Sequence, residues 1–220
     1  MIDWGWVSDH LDKVAFRTLQ HLYLTIIALA VGFAISFALG VIAARWRPVN
    51  AVATAIAGLV FTIPSLALFA ALVPATGLTV VTAEIPLVLY TLVILLRNVV
   101  AGLQAASPEV REAADGMGFT ALGRLRSVEL PLAVPLMIAG LRVAAVSTIG
   151  LVTITATLGD ALGGLGFFIY EGMRKGFATE IYVGAIPVIL LALLADRVFV
   201  WFQRLVTPWA RTDRSAGSTA

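Results

Sequence analysis

The sequence contains no cysteine, which excludes disulfides, thiolate metal sites and cysteine nucleophiles while leaving the redox compartment open. Charge is scarce as well: 13% of the 220 residues are Asp, Glu, Lys or Arg, and the net charge is +2. The arginines are scattered rather than gathered in a stripe, so the electrostatic footprint that nucleic acid requires is missing. No GxxxxGK[ST] occurs, and although TLGDALGGLG holds Gly159, Gly163, Gly164 and Gly166, no lysine closes that run to complete a phosphate cradle. HExxH and GxSxG are absent too. The two histidines, His10 and His21, both belong to the N-terminal region, where a wet interface is expected rather than a ligand set. The acids that could work in pairs, Glu112 with Asp115 or Glu129, fall on an exposed amphipathic stretch and read as a solvated or partner-binding face. No catalytic residue, metal site or chain-bound cofactor is expected.

What the chain has in excess is apolar length. It is 60% hydrophobic with a mean hydropathy of +0.97, the composition of an integral membrane protein. Five runs reach the roughly 20 residues that a helix needs to cross a bilayer core. They are Leu22–Ala44, Ala51–Val73, Ile85–Leu103, Leu132–Leu158 and Ile181–Phe202, and they predict an all-α, five-span fold. Met1–His21 lacks the basic start and small-residue cleavage site of a signal peptide and is expected to stay attached. Val7, Leu11, Val14, Ala15, Leu19 and Leu22 share a helical face, and Trp4 and Trp6 suit an interface, so residues 1–21 read as a surface-lying helix.

Basic residues give the orientation. With the N-terminus outside, the inner segments hold Arg45, Arg47, Arg111, Arg124, Arg126, Arg204, Arg211 and Arg214, and the outer ones hold Lys13, Arg17, Arg174 and Lys175, eight against four. That places a spanning domain at 22–203, a cytoplasmic loop at 104–131, and a cytoplasmic tail at 204–220 whose end, from Thr212, reads as disordered. The glycine-rich run becomes an external re-entrant turn, with Phe167, Phe168 and Tyr170 seating it at the interface.

The loop is the most structured polar stretch. Ser107 and Pro108 suit the cap and first position of a helix in which Val110, Ala113, Ala114 and Met117 form a packing face while Glu109, Arg111, Glu112 and Asp115 project opposite. Gly116 and Gly118 can end it. A second short helix starts near Ala121, and Pro131 leads into the fourth span. Within the spans, Pro64 invites a kink, with Thr62 or Ser65 available for the freed backbone groups; the kink serves either a pathway or packing. Thr62, Ser65, Ser147, Thr148 and Thr153 are candidate lining residues, or else hydroxyls bonded to their own helices. Arg97, Asp196 and Arg197 lie towards the ends of their spans, but Arg142 is deep, where a charge costs roughly 2.5–3.5 kcal/mol unless it faces protein or water. It is expected to approach Asp196.

Glu112, Ala113 and Ala114 are followed after three residues by Gly118, and after nine more by Val128, Leu130 and Pro131. This resembles the EAA signature of ABC importer permease subunits, E-A-A, three residues, G, nine residues, I-x-L-P, with valine replacing isoleucine. The phrases TIPSLAL, LRN, VELPLAVPLMIAGLRVAAV and GAIPVILLALLAD extend the likeness over about Leu22–Trp201 and are similar to the osmoprotectant branch, which imports glycine betaine, carnitine, choline or proline betaine. One departure is GDALGGLG where that branch often has GAGGLG. The resemblance implies the type I, methionine-permease-like fold in a bacterial inner membrane. It makes the loop a coupling helix for a cytoplasmic ATPase that holds the ATP and Mg, with Arg111, Glu112, Ala113, Ala114, Asp115, Gly118, Leu130 and Pro131 at the contact. It further implies a second permease, identical or paralogous, and a periplasmic or lipid-anchored substrate-binding protein; from the residues themselves, Thr62, Pro64, Ser65, Arg142, Ser147, Thr148, Thr153 and Asp196 are the candidates for pathway or gating. A permease for methionine or another small solute shares the same plan, and a scaffold or channel with a non-ATPase partner is the reading from another class.

Overall fold

A computed structural model describes residues 2–160 and 162–209, so Arg211, Arg214 and the expected disordered end of the tail lie outside the described residues. All regular structure among the described residues is helical. The order is α1 (Trp4–Asp9), α2 (Leu11–Ala43), α3 (Arg47–Thr62), α4 (Ser65–Thr76), α5 (Val80–Gln104), α6 (Pro108–Gly116), α7 (Ala121–Arg124), a π-helical turn (Leu125–Glu129), α8 (Leu130–Val152), a 3-10 segment (Thr153–Leu158), α9 (Gly166–Lys175) and α10 (Ala178–Val206). Four helical stretches are long and apolar enough to cross a membrane: α2, α5, the continuous Ala121–Leu158 and α10. The pair α3 and α4 makes a fifth if counted as one broken span.

The first boundary differs from expectation. Nothing breaks the chain after His21; α2 runs for 33 residues from Leu11, because no glycine or proline interrupts Leu11–Val31. At about 1.5 Å per residue such a helix is longer than a core of about 30 Å requires. Only α1 is a separate element, and it docks onto the bundle. The Asp3 amide donates to Thr179 Oγ1 at 3.0 Å, and Trp6 meets Phe168 and Phe177 edge-on.

His21 is a second correction. It is fully buried rather than wet, with Nδ1 accepting from the Leu165 amide at 3.3 Å and Nε2 lying 3.0 Å from the Ile149 carbonyl. This pairing suits the tautomer protonated at Nε2. The imidazole thus supplies a donor to the last turn of α8 and an acceptor to the backbone leading into α9, which no apolar side chain could satisfy. After that turn comes α9, a ten-residue helix that the aromatic pattern did not announce. Phe168, expected at the interface, is buried under Trp6, while Tyr170 remains exposed.

At Pro64 the span does more than kink: α3 and α4 meet at 94°. Proline disfavours helical geometry in the residue before it, and Ile63 is extended. The Ile63 carbonyl freed by this break is taken by the Tyr90 hydroxyl on α5. Neither Thr62 nor Ser65 makes that bond; Thr62 donates instead to Leu59 O in its own helix at 2.7 Å.

Helix α5 is the centre of the bundle, packed between α2 and α8. Ala28, Gly32, Ser36 and Gly40 recur every fourth residue on α2 and are buried. A methyl group at Gly32 would lie 2.7 Å from Thr91 Cγ2, and one at Gly40 would collide with Val99, so these small residues are what lets the two backbones approach. Around this seam Leu24, Phe69, Leu87, Val152 and Leu162 form one core cluster, and Val99, Leu103, Ala133 and Met137 another.

Candidate functional site

The contacts sort the polar segments to two ends. At one end, Asp3, Arg17 and His21 meet Thr179, the Asp160 carbonyl and the Leu165 amide. At the other, the α5–α8 loop is approached by Arg45, whose guanidinium lies 3.5 Å from Ala121 O, and Gln203 of α10 reaches Pro135 O near the start of α8.

The loop forms as its caps dictate. Ser107 Oγ accepts from the Val110 amide, Pro108 occupies the first turn, and Glu109 sits at the positive end of the helix. At the far end Gly118 adopts φ +83°. Its amide donates to Asp115 O at 3.0 Å and the next amide, Phe119, to Ala114 O at 3.2 Å, the paired bonds of a Schellman turn. Past the turn there is no second isolated helix. From Ala121 the chain stays helical through the π turn into α8, so the loop joins the fourth span without a break.

The expected packing face is mostly open. Ala114 is buried, but Val110 is exposed and Met117 is 71% exposed. A nine-residue helix resting on one alanine leaves the rest of its apolar stripe unpartnered, and Phe119 and Leu122 just beyond it are exposed as well. Glu112 projects outward beside it. Arg111 does not: its guanidinium folds back to the Leu103 carbonyl at 2.8 Å, where a cation suits the negative end of α5. Glu129, expected on an exposed face, is 5% exposed and 3.0 Å from Arg124 Nε, and the same guanidinium also grips Asp115. Sequence reading missed this trio because a separation of five residues fits neither a helical nor a strand face.

Across the contact between α8 and α10 the structure brings Arg142 and Asp196 together. Arg142 Nη2 and Nε donate to Asp196 Oδ1 at 2.7 and 3.0 Å, and each side chain is 34% exposed. Among the other pathway candidates, Thr148 is buried and its hydroxyl is shared with Thr91 at 2.9 Å, while Thr153 donates to Gly150 O. Ser147 and Ser65 are half-buried and Pro64 is exposed at the bend. The candidates therefore do not converge on one cavity within this chain.

Residues 36–212 match the family described as the binding-protein-dependent transport system inner membrane component. The chain belongs to this family. Its relatives agree in detail: this permease is 33% identical over 196 residues to the glycine betaine/carnitine/choline transport system permease protein OpuCB of Bacillus subtilis, covering 89% of each chain. It is 34% identical over 208 residues to the osmoprotectant import permease protein OsmW of Salmonella typhimurium, covering 92% of this chain and 96% of the relative. In fold the permease resembles a chain of the inward-facing MetNI methionine ABC transporter, with a TM-score of 0.77 at 23% identity, over 88% of this chain and 96% of that one. It is thus a multi-pass membrane protein and a transport permease subunit, a kind of subunit that works with an ATPase and a substrate-binding protein.

Proposed function

We propose that this permease imports compatible solutes bearing a quaternary ammonium group, of the kind represented by glycine betaine, choline, carnitine or proline betaine, and that it houses the pathway while a separate ATPase supplies the energy. One observation carries the substrate class: relatives 33–34% identical over about nine-tenths of the chain bear osmoprotectant names. The methionine reading rests on fold alone, at 23% identity, and is the weaker.

In this reading α6 is the ATPase contact, through Glu112, Ala113, its exposed apolar stripe and the Gly118 turn. Arg111 and Ala114 hold α6 to the bundle from its inner side, and Leu130 and Pro131 begin the span it moves. ATP and Mg are held on the ATPase, and this chain carries no catalytic role. The N-terminus faces outward and the C-terminus inward, as the balance of basic residues favours. A second permease, identical or paralogous, completes the pathway, and the 34% exposure of the Arg142–Asp196 pair supports that placement, since charges at such depth face protein or water rather than lipid. Transport proceeds by alternating access: ATP binding closes the ATPases, α6 carries that motion into the spans, and the pathway opens to the docked binding protein, with hydrolysis resetting it.

Reconstitution into proteoliposomes with a partner ATPase and a substrate-binding protein tests both parts. ATP-dependent uptake of labelled glycine betaine, choline or carnitine, competed by each other and not by methionine, is expected. Uptake of methionine alone would replace the substrate class, and recovery of the permease without any ATPase would remove the importer reading.

A further inference from the structure

We propose that Arg124 is a positioning residue that makes α6 move as one body with the fourth span, by clasping Asp115 and Glu129 across the π turn. This rests on the role of α6 argued above.

Helix α6 buries little and cannot transmit a push by packing; only Ala114 is enclosed. Two guanidinium groups hold it instead. Arg111 ties it back to the end of α5, and Arg124 ties its last turn forward to Glu129, the residue that closes the π turn and precedes α8. The two arms of the clasp differ in shelter. The Glu129 side chain is 7% exposed, whereas that of Asp115 is 51% exposed, so the anchor on the span is the protected one. Arginine suits this task because its planar fork presents separate N–H groups to two carboxylates at once.

The π turn gives the clasp its meaning. In an α-helix residues five apart lie about 140° apart around the axis, at about 100° per residue, whereas the wider π-helix, whose backbone bonds join residues five apart, brings them onto one face. Arg124 and Glu129 are five apart and hydrogen-bonded at 3.0 Å, and the Leu130 amide donates to Leu125 O, the bond that closes the π turn. The ion pair therefore favours the π geometry over the α alternative. Without it the segment is free to relax its register, rotating Leu130 and Pro131 relative to α6. A π turn alone is a soft joint; with Arg124 across it, the joint is pinned.

The absence of cysteine permits a direct test. Cysteines introduced at Glu109 on α6 and Leu136 on α8 give a spin-label pair in the full complex, measured nucleotide-free and ATP-trapped, alongside the ratio of solute imported to ATP hydrolysed. The intact clasp is expected to keep that distance the same in both states. Arg124→Met is expected to make it broad and state-dependent and to lower the transport ratio about tenfold, the scale of an ordinary coupling energy. Arg124→Lys should retain most of the ratio. A wild-type ratio in Arg124→Met overturns the proposal. So does a lowered ratio with an unchanged distance, which would mean that Arg124 acts on the ATPase directly. Should Arg124→Met fail to assemble, Asp115→Asn opens only the exposed arm: a smaller loss in the same direction supports the clasp, and a wild-type ratio overturns it. Uptake uncoupled from hydrolysis in the unsubstituted complex would instead refute the role of α6 itself, and the clasp with it.

Discussion

Replacing Gly118 isolates what the turn at the end of α6 contributes. Its φ of +83° lies where side chains are disfavoured, yet a Cβ built there meets no atom within 4 Å. The cost of substitution is therefore a backbone cost alone, about 1–2 kcal/mol for an ordinary residue, and less for asparagine, which visits this region readily. The two Schellman bonds close only in this conformation, so the penalty falls on the orientation of α6 and not on the buried bundle. If only the closed turn docks productively, 1–2 kcal/mol corresponds to a loss of roughly 5–30-fold. Gly118→Val is expected to insert and to keep its melting temperature while uptake in proteoliposomes falls by that factor; Gly118→Asn should lose clearly less. Normal uptake by the valine variant would refute the reasoning. Equal damage from valine and asparagine would also refute it, by showing that bulk against a partner, rather than backbone geometry, is what matters.

Three further outcomes are expected. Arg142→Gln and Asp196→Asn should each reduce assembly, since each strands a charge that costs roughly 2.5–3.5 kcal/mol at depth, and the double variant should recover part of the loss; strict additivity in the mutant cycle, read by thermal unfolding in detergent, would show that the pair is not coupled. His21→Leu removes the partners of the Leu165 amide and the Ile149 carbonyl and should destabilise by about 1–3 kcal/mol per buried group left bare, measured the same way, with His21→Gln milder. On α9 the hydrogen bond from Arg174, joined by Lys175, holds the Glu171 carboxyl below the ordinary carboxylate range. A depressed folded-state value contributes stability above the unfolded value that is lost as pH falls through the folded one. Stability should thus decline on acidification below the ordinary carboxylate range, and Glu171→Gln should flatten that acid limb of the melting profile.

Sequence alone determined what could be computed from composition and spacing. Apolar runs of sufficient length fixed the all-α membrane class, because a bilayer admits little else. Ser107, Pro108 and Gly118 announced the start and end of α6, because capping and positive φ are local requirements met by few residue types. The depth of Arg142 implied a partner, and Asp196 is the one it has. Tertiary structure decided whatever depends on how helices meet. The four-residue recurrence from Ala28 to Gly40 is one apolar pattern among many until α5 lies against it. His21 looked like a surface residue because nothing in its neighbourhood reveals that irregular backbone from residue 165 will arrive to be satisfied. Tyr90 could not be matched to Ile63 across 27 positions. Arg124 and Glu129 escaped because their spacing is legible only once the helix between them is π rather than α, and that choice belongs to the packed bundle: local spacing sets helix and cap, whereas burial and long-range pairing are set by the neighbours.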